Sequence, residues 1–289
     1  MILLVGERGK VGSEIKKLLI KENIDFIGVN SDSLNLLDLE SINNFLKDKK
    51  FDCIINASAY TKVDLAEKEK DKCDIINHLA SNEFAKYCEK NNSKYLFYST
   101  DYVFDGKKDS PYLINDLKNP LNEYGKSKDK AENDALKLCK NTFIVRVSWV
   151  FGIQNDNFIS KIIKLSKVNK ELFVVDDQIG SPTYSKDIAL FTLDLIKTTK
   201  YGIYHFTNTD YCSFYDLAKY SLSLINSTTI INRVKTGYYK VDALRPLNSR
   251  LDKSSLTNNG FKLPRSYKDA VKEYINELIK ENKIWKELF

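Results

Sequence analysis

Histidine is almost missing from this chain of 289 residues; only His78 and His205 occur. A histidine-rich metal centre is therefore excluded. Cysteine is scarce as well. Cys53, Cys73, Cys88, Cys139 and Cys212 are odd in number, widely spaced and form no C-x-x-C pair. That argues against a disulfide frame or zinc site and for a reducing cytoplasm. No apolar run approaches the roughly 20 residues that a membrane span needs. The opening Met1-Ile2-Leu3-Leu4-Val5-Gly6 has neither a basic leader nor a cleavage site, and reads as a first strand. Internal repeats and low-complexity linkers are also lacking.

What is present is ordinary for a globular protein: 43% hydrophobic and 29% charged residues. The length allows one large or two modest domains with a sizeable core. The net charge is +6, but the lysines are spread over most helices and interleaved with acids. This is a solvated surface rather than a nucleic-acid footprint, and a mildly positive one suits a small anionic substrate.

Short branched runs alternate with amphipathic stretches through the first half. Strands are expected at 2–5, 24–29, 53–56, 95–99 and 143–147, and helices at 10–22, 41–47, 71–91 and 124–139. Such alternation predicts a Rossmann-type, doubly wound parallel α/β sheet covered on both faces. Beyond Trp149 the pattern loosens into helices at 158–165, 185–197 and 267–282 and strands at 172–175 and 203–206. We expect a dinucleotide-binding domain over 1–150, with segments near 176–206 returning to it. A smaller interleaved substrate lobe should occupy most of 151–289.

Gly6-Glu7-Arg8-Gly9-Lys10-Val11-Gly12 lies at a strand-to-helix turn. Its first glycine permits a sharp turn, its second lets backbone approach a pyrophosphate, and its third lets helix pack on strand. The helix N-terminus then offers free N–H groups to phosphate. The second strand ends at Asn30, where NAD-specific folds carry an acid. With Arg8 nearby, this leans toward NADPH, with NADH as the alternative. Asp38 lies where a chain end could edge the adenine, or it simply caps the helix that follows.

Ser99-Thr100-Asp101-Tyr102 follows the fourth strand, and ligands gather at the carboxyl ends of such strands. Tyr124 and Lys128 are four apart and share a helix face. Carbonyl reduction needs a proton donor for the nascent hydroxyl. A phenol of unperturbed pKa about 10 is sluggish at neutral pH; a nearby ammonium stabilises the phenolate and improves it. The Thr100 hydroxyl can bond the same carbonyl.

With these residues in place, the chain resembles the extended short-chain dehydrogenases, and closely the dTDP-4-dehydrorhamnose reductase family. The resemblance is carried by Gly6–Gly12, by Asn56-Ala57-Ser58-Ala59-Tyr60-Thr61-Lys62-Val63-Asp64, by Tyr98-Ser99-Thr100-Asp101-Tyr102-Val103-Phe104-Asp105-Gly106 and by Asn122-Glu123-Tyr124-Gly125-Lys126-Ser127-Lys128. It continues through Arg146-Val147-Ser148-Trp149, Asp177-Gln178-Ile179-Gly180-Ser181-Pro182-Thr183 and Arg245-Pro246-Leu247-Asn248-Ser249-Arg250-Leu251. It implies reduction of a 4-keto sugar nucleotide, dTDP-4-dehydro-L-rhamnose, by NADPH or NADH. Tyr124 would be the proton donor, Lys128 would tune it and hold the nicotinamide ribose, and Thr100 would polarise the carbonyl. Expected cofactor contacts are Gly6, Arg8, Gly9, Lys10, Val11, Gly12, Asn30, Asp38, Leu39, Ala57, Ala59, Tyr60, Thr61 and Tyr98, with Tyr124 and Lys128. Thr100, Asp101, Tyr102 and Trp149 would face the sugar. A homodimer is the assembly the resemblance allows. Some similar enzymes hold magnesium through glutamates at a dimer contact, but Lys186 stands where one such acid is expected, so no metal is predicted.

Blander readings stand beside these. Trp149 could be ordinary core, and His78 and His205 are better read as structural. The cluster Tyr201, Tyr204, Phe206, Tyr211, Phe214 and Tyr215 suits a lobe core. A 4,6-dehydratase needs an Asp-Glu pair after the threonine, and here Tyr102 follows Asp101. Two other readings remain: a reductase of another 4-keto sugar nucleotide, and a non-catalytic dinucleotide-binding subunit like the regulatory subunit of methionine adenosyltransferase.

Overall fold

A computed structural model describes residues 1–281. Residue 282 of the last expected helix and the remaining lobe positions 283–289 lie outside the described residues. Twelve strands form among them: β1 (Ile2–Val5), β2 (Phe26–Val29), β3 (Cys53–Asn56), β4 (Lys94–Thr100), β5 (Thr142–Val147), β6 (Val150–Phe151), β7 (Glu171–Val175), β8 (Ile179–Gly180), β9 (Thr183–Tyr184), β10 (Gly202–His205), β11 (Cys212–Ser213) and β12 (Ile230–Val234).

Six of them make one parallel sheet in the order β10-β5-β4-β3-β1-β2. The period-2 alternation of strand side chains divides its core into two layers. Ile2 and Leu4 of β1 join Ile55, Val145, Ile15 and Ile188 on one face, beneath the paired helices Lys10–Lys21 and Ser185–Ile196. Leu3 and Val5 face the other way and meet Ile42, Phe84, Ala131 and Ile144, beneath helices Leu39–Leu46, Ala80–Lys90 and Glu123–Leu138. The sheet is thus doubly wound, as its sequence pattern requires.

The late segments Ser185–Ile196 and β10 complete this sheet. A third apolar cluster lies apart, where Ile159, Ile163, Leu172, Leu217, Tyr274 and Leu278 pack together. It joins helices Phe158–Val168, Phe214–Ser223 and Tyr267–Lys280 to the parallel pair β7 and β12. No helix of the described residues is long and apolar enough to cross a membrane.

Several elements differ from the sequence reading, among them β12. The expected helix at 71–91 is interrupted: Lys70–Asp74 and Ala80–Lys90 are α-helical, but Ile75–Leu79 forms a π turn. Hydrophobic spacing does not register one extra residue in a turn. The helix Phe214–Ser223 was not anticipated, although Ser213 and Asp216 close a reciprocal cap at its start.

Candidate active site

β1 pairs with both β2 and β3, so the winding direction changes there and the carboxyl ends of these strands open a crevice. Val5, Gly6, Asn30, Leu34, Ser58 and Ala59 line it. Gly6 has φ +83, and a Cβ on it would lie 2.8 Å from the Ser58 nitrogen. A Cβ on Gly12 would come within 2.1 Å of the Gly6 carbonyl oxygen. Gly9 closes the turn by donating its N–H to that oxygen at 2.9 Å. It also begins the helix Lys10–Lys21 with no side-chain cap, so the first-turn amides meet no side-chain acceptor. A turn this tight, with an uncapped helix start beside it, fits a pyrophosphate.

At the end of β2 both ends of the Asn30 amide are engaged. Its Nδ2 donates to Glu7 Oε1 at 3.3 Å, and its Oδ1 accepts from the Asp32 amide at 2.8 Å. Arg8 is ion-paired with Asp32. Burial lowers the pKa of Lys10, with the charge of Lys161 adding to the effect and that of Asp156 opposing it. Leu36 and Leu37, rather than Asp38 and Leu39, reach the crevice wall. Asp38 instead accepts from the Ser41 amide at 3.0 Å and caps helix Leu39–Leu46, because a free carboxylate immediately before a helix start is drawn to its unpaired N–H groups.

The catalytic helix Glu123–Leu138 starts at Asn122, whose side chain accepts from the Gly125 amide at 2.8 Å. A Cβ on Gly125 would lie 2.3 Å from the Tyr102 carbonyl oxygen. Glycine therefore lets this helix press against the loop after β4, which brings Tyr124 to Thr100. Burial pushes the pKa of the Tyr124 phenol up, and the nearby Thr100 side chain pulls it the other way. Thr100 Oγ1 donates to Asp101 Oδ1 at 2.9 Å and accepts from the Tyr102 amide at 3.2 Å. Asp101 is buried, and desolvation raises its pKa to about 6. The Tyr102 ring meets Tyr124 edge-on at 5.9 Å.

Lys128 is buried one helical turn after Tyr124. Its Nζ lies 5.2 Å from the centre of the Phe97 ring. Burial lowers its pKa to about 8, opposed by the charge of Glu132. Glu132 itself is held by Arg146, with Nε–Oε1 at 2.8 Å and Nη2–Oε2 at 2.7 Å.

Several residues that sequence reasoning passed over tie these parts together. Asn77, in the π turn, accepts from the Tyr60 amide at 2.7 Å and donates to Tyr60 O at 3.1 Å and Ser127 Oγ at 2.9 Å. It joins the loop after β3 to the catalytic helix. π turns cluster at functional sites, but nothing in the hydrophobic spacing marks this one. The loop from Ala57 to Thr61 lies beside the crevice: Ala57 donates its amide to Val5 O at 2.9 Å, and Thr61 is exposed. The Tyr60 hydroxyl turns away to Glu69 at 2.7 Å. The Tyr98 hydroxyl meets Thr192 at 2.5 Å. Trp149 adopts φ +47, rare for an aromatic residue, and stacks on Phe214 at 3.8 Å. Lys186 reaches Glu273 and Glu277, the latter at 2.8 Å. Among the described residues no group of three or more His, Cys, Asp or Glu side chains is placed to hold a metal ion.

A glycine turn at the switch of a doubly wound sheet, with Thr100, Tyr124 and Lys128 at the next strand end, defines a short-chain dehydrogenase type of protein. The chain belongs to the dTDP-4-dehydrorhamnose reductase family, whose model, described as the RmlD substrate binding domain, matches residues 1–280. It is 34% identical to the spore coat polysaccharide biosynthesis protein SpsK of Bacillus subtilis, over 96% of this chain and 97% of that one. The crystal structure of a dTDP-4-dehydrorhamnose reductase from Clostridium acetobutylicum superposes with TM-score 0.93 at 34% identity, covering 96% of this chain and 99% of that chain. The enzyme of that name from Bacillus anthracis, solved in complex with NADP, gives TM-score 0.92 at 33% identity, covering 96% and 98%.

Proposed function

We propose that this protein reduces the 4-keto group of a nucleotide-linked deoxysugar, dTDP-4-dehydro-L-rhamnose, with NADPH or NADH. The observation that carries the reading is Tyr124 packed against the loop that follows Thr100, one helical turn from the buried Lys128, in a chain similar over 96% of its length to reductases of that name. A non-catalytic subunit would not need that arrangement.

When bound, the dinucleotide supplies a hydride to the sugar carbonyl carbon. The chain's own residues do the rest. Gly6, Gly9 and Gly12 keep the turn tight enough for its backbone to approach the pyrophosphate, and the amides of Lys10 and Val11 face it. Asn30 and Leu36–Leu37 border the adenosine, with Arg8 at its rim. Ala57, Ala59, Tyr60, Thr61 and Tyr98 wall the nicotinamide half. Tyr124 gives its proton to the carbonyl oxygen, and the Lys128 ammonium stabilises the phenolate left behind while holding the ribose. Thr100 orients Tyr124 and polarises the carbonyl once its own proton leaves Asp101. Asp101, Tyr102 and Trp149 hold the sugar.

Residues 1–150, with the segments near 176–206, form the dinucleotide half in this reading, and most of 151–289 the substrate lobe. The setting is the cytoplasm. The assembly is a homodimer, which sedimentation would report as twice the 33.3 kDa chain mass.

The test is NADPH oxidation in the presence of dTDP-4-dehydro-L-rhamnose. Tyr124→Phe should lower turnover by roughly 10²- to 10⁴-fold, the usual contribution of a general acid, with dinucleotide affinity retained. Turnover like that of the parent would sink the assignment.

A further inference from the structure

The carboxylate expected at the end of β2 is replaced by Asn30, yet the fold restores an acid two residues later. Asn30 Oδ1 accepts from the Asp32 backbone amide at 2.8 Å, and the Asn30 backbone N–H donates to Ser33 Oγ at 3.0 Å. These bonds fold 30–33 into a tight turn that presents the Asp32 carboxylate to Arg8. Arg8 belongs to the glycine turn and Asp32 follows Asn30 and Ser31, so the ion pair joins two segments whose Gly6, Asn30 and Ser31 line the crevice. The neighbouring acid is already committed: Glu7 pairs with Lys16 at 2.7 Å and accepts from Asn30. Two cations, Arg8 and Lys16, therefore balance two acids, Asp32 and Glu7, around the end of β2.

The Arg8–Asp32 pair is open to water, with side chains 68% and 69% exposed. An exposed pair of this kind is weak and readily exchanges partners. Arginine also binds a phosphate dianion in the same forked geometry as a carboxylate. We propose that Asp32 determines the choice between the two dinucleotides, resting on the reading of this crevice as a dinucleotide site. With a free ribose 2′-hydroxyl, Asp32 keeps Arg8 and the local charge stays balanced. With a 2′-phosphate, Arg8 leaves Asp32 for the phosphate, and the freed carboxylate repels that phosphate. Asp32 thus restrains a preference that Arg8 would otherwise impose, and Asn30 acts as a positioning residue by fixing the turn.

Calorimetry with 2′,5′-ADP and 5′-AMP isolates this step, because the two probes differ only by the phosphate in question. The full-length protein is compared with Asp32→Asn, Asp32→Ala, Arg8→Ala and the Asp32→Asn/Arg8→Ala double variant. Both Asp32 variants should bind 2′,5′-ADP about tenfold more tightly, the effect of one well-formed charge pair, with 5′-AMP affinity nearly unchanged. Arg8→Ala should weaken 2′,5′-ADP alone, and the gain from Asp32→Asn should shrink in its background. If either Asp32 variant leaves 2′,5′-ADP unchanged, or shifts both probes by one factor, the inference falls while the dinucleotide reading stands. If the parent protein binds neither probe and neither NADPH nor NADH, the dinucleotide reading itself falls and takes the inference with it.

Discussion

A buried lysine is an unusual choice for a stable core and a useful one for proton chemistry. Removing the Lys128 ammonium from water brings its pKa down to about 8, with Glu132 pulling the other way. Glu132 cannot restore the ordinary value, because Arg146 already holds both of its oxygens. The charged form is the one that stabilises a Tyr124 phenolate, and it prevails below about pH 8 and is lost above it. Activity should therefore fall as pH rises through that value. A profile of kcat/KM against pH would show an alkaline limb near 8 in the parent protein. In Lys128→Met the limb should vanish and the rate should drop at least about 100-fold. A limb that persists in the variant would assign it to another group.

At the scale of elements, the catalytic helix is placed by contacts at its first turns. The missing Cβ of Gly125 lets it approach the Tyr102 carbonyl, and Glu123 gives its amide to Glu67 at 2.8 Å. The π turn Ile75–Leu79 serves the same end, since it aims Asn77 at both groups of the Tyr60 peptide and at Ser127. All of these partners are sheltered from water, so losing Asn77 leaves polar groups stranded. Asn77→Ala should cost about 1–3 kcal/mol, the penalty for a buried group left unpaired, read as a lower urea midpoint. Dinucleotide affinity should weaken too, because the loop after β3 loses its anchor. Asn77→Asp keeps the acceptor and loses the donor, and should fall between the two. An Asn77→Ala variant as stable as the parent would mean that the π turn holds itself.

Across the whole molecule, a buried polar group links distant parts of the chain. Arg146 of β5 bonds Glu132, the Ile114 carbonyl at 2.9 Å and His205 Nε2 at 3.1 Å. His205 of β10 also bonds the Asp252 carbonyl through Nδ1 at 3.0 Å. Burial, aided by the Arg146 charge, lowers the His205 pKa to about 3. Its unfolded value is near 6.5, so between these limits the unfolded chain binds a proton that the folded one refuses. Stability from this source is present at neutral pH and is lost as pH falls from about 6.5 toward 3. Asp101 acts in the opposite sense: its folded value of about 6 exceeds the unfolded one, so it gains stability on acidification. The comparison that separates them is the slope of urea midpoint against pH in His205→Gln and the parent. The variant should lose less stability on going from about pH 7 to about pH 5, and an identical slope would show that His205 is not held neutral.

Local order set much of this protein in advance. Alternating short apolar runs and helical spacing determined the doubly wound sheet, because periods of 2 and 3.6 residues are properties of neighbouring positions. The glycine turn and the Tyr124–Lys128 spacing were legible for the same reason, each being complete within one turn or one helix face. What joins residues far apart was decided only by tertiary structure. Arg8 pairs with Asp32, a partner its place in the glycine turn does not announce, and of the two roles that position allowed Asp38 it takes the helix cap. Asn77 meets Tyr60 through an extra residue in a helical turn that no hydrophobic period reveals. Lys128, surface-bound by its residue type, owes its shifted pKa to burial by segments up to and beyond Phe97. Charge and hydrogen-bond pairing depend on distance in space, and a sequence orders its residues only along the chain.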